Sequence, residues 1–355
     1  MMTLKTSFQD AFGRRPSAIG QAPGRVNLIG EHTDYNGGAV LPAALDCQVG
    51  VGLAQNHSTS VSITSHRFAE TRSRPVGDPK RGDWTDYAMG AVTKANELTW
   101  LSGGVDLYID STVPDGAGVS SSAALITAIL RAAAQTAGIE ANPVDLAKHA
   151  RAVENDYIGM PCGIMDQMAV GLTPPGSALA LNTRTLDFEI IEIPASWRFV
   201  TIHSGIRREL ADGRYAARFE ECQAAADQLG TDTLCLLTDA QLEAMTTLPE
   251  NLMKRARHAV SEHIRTLAAR DALSVDDIDR FADLMNASHQ SYARDFEAST
   301  PVIDALIEDA LRMGAKGARL TGGGFGGCIV ALIAADAEPA WTNAFLAQHP
   351  ACWRV

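Results

Sequence analysis

Several short stretches of the chain alternate apolar and polar residues, as half-buried β-strands do. These stretches are residues 47–54 and 60–64, and further strand-like segments follow at residues 178–181, 188–193 and 199–203. A sixth stretch, residues 328–333, has the sequence Cys-Ile-Val-Ala-Leu-Ile, which also indicates a strand. The pattern predicts six strands.

Helical patterns fill much of the chain between these strands. Residues 120–137 are rich in Ala, Leu and Ile, and Gly138 follows where a helix commonly ends. Asn142 and Pro143 suit the N-cap and first position of a second helix. The remaining helical segments are 214–229, 252–270, 276–296 and a helix from Thr300-Pro301 to Gly314.

Strands and helices do not alternate strictly, which favours an α+β fold over a doubly wound parallel sheet. A length of 355 residues is enough for roughly two domains. The most natural boundary is Pro194-Ala195-Ser196, between two predicted strands. We therefore predict one domain over residues 1–194 and a second over residues 195–355.

A glycine-rich turn precedes the predicted helix 120–137. Its residues are Gly116, Ala117, Gly118 and Val119, and they are followed by Ser120, Ser121 and Ser122. Glycines let backbone N–H groups approach an anion, and the first turn of a helix has N–H groups without partners and a positive dipole. Serine hydroxyls can also donate to phosphate oxygens or bind Mg²⁺. The segment predicts either a phosphate site or an ordinary serine-capped turn.

A second glycine-rich region carries a dense polar run. Arg25 is followed by Glu31, His32, Thr33 and Asp34. Carboxylates accept strong hydrogen bonds from hydroxyl groups, so this run suits a sugar. Two other interpretations stay open, a solvated loop and a metal site formed by Glu31, His32 and Asp34.

The third glycine-rich segment, residues 322–327, formally contains G-x-G-x-x-G. A dinucleotide-binding fingerprint opens a helix, whereas a strand is predicted after this segment, so that interpretation fails. We expect either a flexible hairpin or a loop lying close to a ligand or to another loop. The chain contains no Walker A sequence.

Charge and cysteine content narrow the range of partners. The net charge is −12, which argues against binding to nucleic acid or to an anionic membrane. The apolar runs are much shorter than the ~20 residues of a membrane-spanning helix, and the first residues lack the apolar stretch of a secretory leader. The six cysteines form no CxxC pair, so we expect free thiols and a cytoplasmic location.

Several long motifs resemble the GHMP kinases, and among them the galactokinases. They include GRVNLIGEHTDYNGG from residue 24, PDGAGVSSSAA from residue 114 and LTGGGFGGC from residue 320. The stretch from Glu154 to Gln167 and the pattern Trp84-x-x-Tyr87-x-x-Gly90 also agree with that family. The resemblance runs from about Phe8 to the C-terminus.

The resemblance implies a fold and an activity. The fold would be α+β, with an N-terminal ribosomal-protein-S5-like domain, a ferredoxin-like C-terminal domain and an active site in the cleft between them. The activity would be MgATP-dependent phosphorylation of the C1 hydroxyl of galactose, with ATP as co-substrate and Mg²⁺ as cofactor.

The resemblance also implies roles for individual residues. Arg25 and Asp166 match the catalytic pair, and Ser122 and Glu154 match the Mg²⁺ ligands. Sugar binding is implied for Glu31, His32, Thr33, Asp34 and Tyr215. ATP binding is implied for Ser65, Gly116, Ala117, Gly118, Val119, Ser120, Ser121 and Ser122.

Some positions favour simpler interpretations or leave the substrate open. Tyr215 shares helical spacing with Phe219 and Cys222, which alone would indicate core positions, and His258 and His263 on a charged helix are expected to be solvated. Residues 203–205, His-Ser-Gly, stand where galactokinases commonly have an Asn-containing triplet.

Three alternatives to a galactokinase therefore stay open. They are an N-acetylgalactosamine kinase, an L-arabinose kinase and a non-catalytic galactose sensor. The serines of the glycine turn, Arg25 and Asp166 are all present, which favours an enzyme. In each case we expect a monomer or weak homo-oligomer.

Overall fold

The computed structural model describes residues 4–206, 213–243 and 248–355. By its internal contacts the chain divides into two compact units. Unit 1 comprises residues up to 25, 44–114 and 120–173, and unit 2 comprises residues 26–43, 115–119 and 174–355. These units are interleaved in sequence, so they are described here one at a time, and the predicted domain boundary after residue 194 stays a prediction.

Unit 1 contains most of a β-sheet and the helices that pack with it. Its strands in spatial order are β3 (Pro42–Gln55), β6 (Val105–Ser111), β4 (Ser60–Ser65) and β5 (Glu70–Pro75), and β1 (Ala18–Asn27) also pairs with β3. Neighbours are antiparallel except β4 and β6, which are parallel with Ser62 opposite Asp106. The helices are α1 (Leu4–Phe12), α2 (Asp86–Glu97), α3 (Ser121–Thr136), α4 (Pro143–Ala152) and α5 (Met165–Leu172), and a π-helical turn (Val153–Tyr157) follows α4.

Helix α3 is the centre of unit 1 and packs against α2, α4 and α5. Ten of its sixteen residues are buried, nearly all of them Ala, Ile or Leu, so its burial rests on small and aliphatic side chains. At Gly20 in β1 a side chain would start 1.8 Å from the carbonyl oxygen of Ala128 in α3. Only glycine permits this close approach of strand and helix.

Unit 2 contains two groups of strands. In the first, β7 (Ser177–Asn182) pairs with β2 (Ala39–Val40), with β8 (Phe188–Glu192) and, at Ala178, with Ala43 at the start of β3. The second is an antiparallel four-stranded sheet in the order β10 (Gly317–Thr321), β11 (Cys328–Ala334), β9 (Trp197–His203) and β12 (Trp353–Arg354). Its helices are α6 (Arg214–Leu229), α7 (Asp239–Glu243), α8 (Glu250–Ser274), α9 (Ile278–Arg294), α10 (Pro301–Arg312) and α11 (Glu338–Gln348), with 3₁₀ turns at Asp34–Asn36 and Leu234–Leu236.

The core of unit 2 forms where these helices meet the four-stranded sheet. Helix α8 packs against α6 and α9, while α9 and α10 cover β10 and α11 lies on β9 and β11. Residues 200–203 of β9 and 328–333 of β11 are buried without alternation, as expected of strands that are covered on both faces. The 25-residue α8 is the longest helix in the described part of the chain.

The predicted α+β class is confirmed, and so are all six predicted strands and the six predicted helices. Asn142 caps α4 by accepting from the amides of Val144 and Asp145, and Thr300 caps α10 through the amide of Ile303. Gly138 has the left-handed φ of +68° expected after a helix. Other elements were not predicted, among them α1, α2, β1, β5 and β6.

The third glycine-rich segment joins two antiparallel strands, β10 and β11, with Thr321 opposite Cys328. The exclusion of a dinucleotide-binding fold is therefore confirmed. The expected close approach to another loop is also confirmed, because the Cys328 thiol donates to the carbonyl oxygen of Ala117 at 3.1 Å. All six cysteines are free thiols. No helix within the described ranges is long and apolar enough to cross a membrane.

Candidate active site

In unit 1, Arg25 and Asp166 form an ion pair. Arg25 lies near the end of β1 and Asp166 in the first turn of α5. The Arg25 guanidinium approaches Asp166 Oδ1 with Nε at 2.8 Å and Nη2 at 2.6 Å. The arginine side chain is only 6% exposed, whereas the Asp166 side chain is 32% exposed. The carboxylate is therefore held firmly from one side and open to a ligand from the other.

The second oxygen of Asp166 is held by the serine that precedes α3. The Ser120 hydroxyl donates to Asp166 Oδ2 at 2.5 Å. Ser120 has a left-handed backbone with φ of +62°, which is uncommon for a residue with a side chain. The predicted catalytic aspartate and the first serine of the predicted phosphate site are therefore in direct contact.

The segment leading into α3 has the form expected of an anion site. Gly116 and Gly118 have φ of +69° and +74°, so the chain turns sharply before the helix. The Ser120 side chain makes no capping bond to the first turn of α3. The first N–H groups of this 16-residue helix thus keep their donor capacity and the positive end of its dipole.

Ser122 and Glu154, the predicted Mg²⁺ ligands, are also in contact. The Ser122 hydroxyl donates to Glu154 Oε1 at 2.7 Å, and the Gln167 amide donates to Glu154 Oε2. Glu154 lies in the π-helical turn and is 4% exposed. Burial raises the pKa of Glu154 to about 7, the negative charge of Asp166 adds to the rise, and the two hydrogen bonds oppose it.

This group of oxygen atoms fits a small divalent cation. Gln167 Oε1 is buried and accepts no hydrogen bond from the described residues. Mg²⁺ takes oxygen ligands and commonly uses one or two carboxylates together with the phosphates of a substrate. The described residues contain no cluster of three or more His, Cys, Asp or Glu side chains placed to hold a metal, so phosphate oxygens would have to complete such a site.

Ser65, predicted to contact the nucleotide, is buried at the end of β4. It lies opposite Glu70 in β5 and Ile109 in β6. The structure therefore gives the position of Ser65 in the sheet of unit 1, and its contact with nucleotide stays a prediction.

In unit 2, the polar run of the predicted sugar site is an ordered loop that is largely buried. Glu31 is 2% exposed, and each of its carboxylate oxygens has two partners. Oε1 accepts from the Thr321 hydroxyl at 2.9 Å and from the Gly322 amide at 2.5 Å. Oε2 accepts from Arg319 Nη1 at 2.9 Å and from the Asn27 amide. The solvated-loop interpretation is therefore wrong for Glu31.

Both ring nitrogens of His32 are also hydrogen-bonded to other side chains. Its Nε2 lies 2.9 Å from the Tyr292 hydroxyl and its Nδ1 lies 2.8 Å from the Tyr35 hydroxyl. Tyr292 donates its own proton to the Gly322 carbonyl, so it accepts from Nε2–H of His32. The imidazole also stacks on Phe296, with 4.2 Å between ring centroids.

The side chains of Thr33, Asp34 and Tyr215 differ in solvent exposure. Thr33 is fully buried, and its hydroxyl lies within hydrogen-bond distance of the carbonyl oxygens of Gly30 and Ala39. Asp34 opens the 3₁₀ turn and is half-buried. Tyr215, in the first turn of α6, is 37% exposed with its ring 5.4 Å from that of His32. The prediction of a core position from helical spacing is wrong, because the Tyr215 ring lies beside His32 and Tyr35 and is partly exposed.

Other residues of unit 2 hold this loop and were not found in the sequence. His258 was expected to be solvated, which is wrong: it is fully buried, bonded to the Ser291 hydroxyl and to the carbonyl oxygen of Glu31. His263 is half-buried and accepts from the amide of Ala39. The pattern of the helix did not reveal these roles, because Glu31 and Ala39, which the two histidines bond, lie more than 200 residues away in the sequence.

Three family models match the chain. They are the galactokinase galactose-binding signature at residues 6–54, the GHMP kinase N-terminal domain at residues 86–173 and the GHMP kinase C-terminal domain at residues 269–345.

Whole-chain relatives agree with these models. A galactokinase from Exiguobacterium sibiricum is 37% identical over 346 residues, covering 94% of this chain and 89% of its own. The solved structure of Lactococcus lactis galactokinase complexed with galactose is 30% identical with a TM-score of 0.92, covering 99% of this chain and 96% of its own. Methanococcus jannaschii mevalonate kinase, at 17% identity, a TM-score of 0.67 and coverage of 95% and 96%, shares the fold. The chain therefore belongs to the galactokinases, within the GHMP kinases.

Proposed function

We propose that the protein transfers the terminal phosphoryl group of ATP to the C1 hydroxyl of galactose, giving galactose 1-phosphate and ADP. One observation carries the proposal: Asp166 is a partly exposed carboxylate held by Arg25 on one oxygen and by Ser120 on the other. This contact joins a proton acceptor to the start of the helix proposed to bind phosphate. The relatives add support, since one of them is a galactokinase structure complexed with galactose.

In this proposal Asp166 accepts the proton of the C1 hydroxyl. An alcohol is a weak nucleophile, and a carboxylate that takes its proton as the new bond forms accelerates the reaction by about 10²–10⁴-fold. Arg25 orients Asp166 through two N–H groups on one oxygen. The same guanidinium supplies positive charge for the phosphoryl group in transfer.

We assign ATP binding to the turn before α3 and to the first turn of that helix. Gly116, Ala117, Gly118 and Val119 supply backbone N–H groups, and Ser120, Ser121 and Ser122 supply amides and hydroxyls. Ser65 is a further nucleotide contact in this proposal.

Mg²⁺ would be held by Ser122 and Glu154 together with phosphate oxygens. A bound Mg²⁺ ion would supply positive charge that offsets the negative charge of the phosphates. Glu154 is buried with no positive side chain bonded to it, so a cation there would keep its carboxylate ionised. Ser122 and Gln167 fix the carboxylate plane in advance.

We assign the sugar to the loop 31–34 and Tyr215. Asp34 and Tyr215 reach solvent and are proposed to contact the hydroxyls directly. Glu31, His32 and Thr33 already have protein partners at their polar atoms, so they contribute mainly by fixing the shape of the loop.

Kinases for the alternative sugars, N-acetylgalactosamine and L-arabinose, would use the same chemistry and differ in the shape of the sugar pocket. A non-catalytic galactose sensor is disfavoured by the intact contacts among Ser120, Asp166 and Arg25. We further propose a domain boundary near residue 194, a cytoplasmic location and a monomer or weak homo-oligomer that binds neither nucleic acid nor membrane.

A substrate panel tests this function. Purified protein is assayed for ADP release with MgATP and galactose, glucose, N-acetylgalactosamine, 2-deoxygalactose or L-arabinose. We expect galactose to give the highest kcat/KM, at least tenfold above glucose. Higher turnover with N-acetylgalactosamine or L-arabinose would identify one of those kinases instead. Galactose binding without ADP release from any sugar would indicate a sensor.

A further inference from the structure

Unit 2 contains a buried network of charged side chains beneath residues 31–34, which are called the sugar loop below. Glu31 and Arg319 form an ion pair at 2.9 Å, and Arg319 Nη2 lies 3.8 Å from Oε1 of Glu262. The side chains of Arg319 and Glu262 have no exposed surface, and that of Glu31 has 2%. A fourth member, Arg265, pairs with Glu262 Oε2 at 2.9 Å. Two carboxylates thus face two guanidiniums, so the buried charges balance.

Glu262 reaches the sugar loop directly from α8. Its Oε1 accepts from the backbone amide of Gly30 at 3.0 Å and from the Ser288 hydroxyl. Gly30 has φ of +100°, and a side chain there would start 2.7 Å from the carbonyl oxygen of Ala39. The loop is therefore pinned at a glycine that immediately precedes Glu31.

Arg319 holds the other side of the same loop from β10. Besides Glu31 Oε2, its Nη1 lies 3.3 Å from the carbonyl oxygen of Asn27. The Thr321 hydroxyl lies 2.9 Å from that same carbonyl oxygen. Loop residues 27–31 are thus bonded by α8 at Gly30 and by β10 at Asn27 and Glu31.

Glu262 and Arg319 both stay ionised around neutral pH. Burial disfavours an ionised Glu262, but the positive charges of Arg265 and Arg319 outweigh it and lower the pKa of Glu262 to about 2. Glu31 and Glu262 raise the pKa of Arg319 although burial opposes them. Removing one charge would leave the others buried without compensation.

We infer that Glu262 and Arg319 are positioning residues for the sugar substrate, acting through the loop that carries His32 and Asp34. The inference rests on the proposed function, in which that loop binds the sugar. Neither side chain has exposed surface, so neither contacts substrate itself. Their effect is to keep Asp34 in its binding geometry before the sugar arrives, which lowers the ordering cost of binding.

The experiment compares Glu262→Gln and Arg319→Lys with wild type and with Glu338→Gln. Glu338 is a matched control: a 9% exposed glutamate in the same unit whose carboxylate bonds Thr342 and Arg354 near the C-terminus. We expect Glu262→Gln to raise KM for galactose at least tenfold while KM for ATP changes less than twofold. Arg319→Lys keeps the charge and should give a smaller rise in the same direction.

Hydrogen exchange provides the readout that separates positioning from general stability. Glu262→Gln should accelerate amide exchange in residues 28–34 at least tenfold, and Glu338→Gln should leave that segment unchanged. If Glu262→Gln does not fold, Ser288→Ala, which removes one hydrogen bond to Glu262, replaces it with the same expected direction.

Two results would overturn the inference. One is an unchanged galactose KM in folded variants, and the other is an equal loss of galactose and ATP affinity. The failure of the proposed function looks different, since wild type itself would then show no galactose-dependent ADP release.

Discussion

Ser120 combines a strained backbone with a side chain that bonds Asp166. A left-handed conformation costs a residue with a Cβ about 1–2 kcal/mol, yet Ser120 adopts it with φ of +62°. The hydroxyl that would ordinarily cap α3 instead bonds Asp166, which leaves the helix amides available to an anion. Strain of this kind persists only where the surroundings hold it, here the glycine turn on one side and α3 on the other.

The role of Asp166 predicts the outcome of Asp166→Asn. The amide keeps the size of the side chain and can still meet Arg25, but it cannot accept a proton. We expect kcat to fall about 10²–10⁴-fold while the Kd for ATP changes less than threefold. Steady-state kinetics and calorimetry with ATP measure the two quantities. Asp145→Asn, on the exposed surface of α4, serves as control, and a kcat near wild type in Asp166→Asn would refute the assignment.

Ser122→Ala probes the proposed Mg²⁺ site. The variant removes the hydroxyl that bonds Glu154 and leaves the buried carboxylate less fixed. We expect the Mg²⁺ concentration for half-maximal activity to rise at least fivefold, with kcat largely recovered at saturating Mg²⁺. A Mg²⁺ titration of activity measures this, with the exposed Ser102→Ala as control. A Mg²⁺ curve that superimposes on wild type would contradict a role for Ser122.

Helix α8 shows which features a sequence can and cannot reveal. Its length and helical period were predicted within a few residues at each end. His258 and His263 were expected to be solvated because they lie on a charged helix. Instead Arg255, His258 and Glu262 are all buried, because their partners lie in distant segments such as the loop at Glu31 and strand β10. A period in one helix carries no information about those partners.

The burial of His258 predicts how stability depends on pH. Burial lowers the pKa of His258 to about 4, with the positive charges of Arg265 and Arg319 adding to the fall and the negative charge of Glu262 opposing it. In the unfolded chain a histidine titrates near 6.5, so below that pH the unfolded state binds the proton first. The stabilisation is complete above pH 6.5 and is lost as pH falls to 4, by about 3 kcal/mol from this residue.

His258→Gln should therefore flatten the pH dependence of the free energy of unfolding between pH 6.5 and 4.5. Urea denaturation at several pH values measures it. The control is His57→Gln, since His57 is exposed. An unchanged slope in a folded His258→Gln protein would show that His258 does not titrate on unfolding.

For the whole molecule, the sequence predicted features that depend on composition and local pattern well, and contacts between distant residues poorly. Net charge, free thiols, the α+β class and the strongly periodic elements followed from local pattern. The ion pair proposed to be catalytic did not, because Arg25 and Asp166 are 141 residues apart and only the family resemblance connected them. Glu31 was singled out by its motif, but its four hydrogen bonds to Asn27, Arg319, Thr321 and Gly322 could not be predicted from that motif.

The rise in Tm that a ligand produces tests whether galactose and ATP bind to separate residues. A ligand that binds the folded chain at 100 times its Kd stabilises it by about 2.7 kcal/mol, which appears as a rise in Tm. We expect galactose and ATP each to raise the Tm of wild type. Asp34→Ala removes a proposed sugar contact, so galactose should no longer raise the Tm of that variant while ATP still does. Asp283→Ala, an exposed substitution on α9, should respond to both ligands as wild type does. A galactose response retained in Asp34→Ala would remove Asp34 from the sugar site, and loss of both responses would show that the substitution damages the fold as a whole.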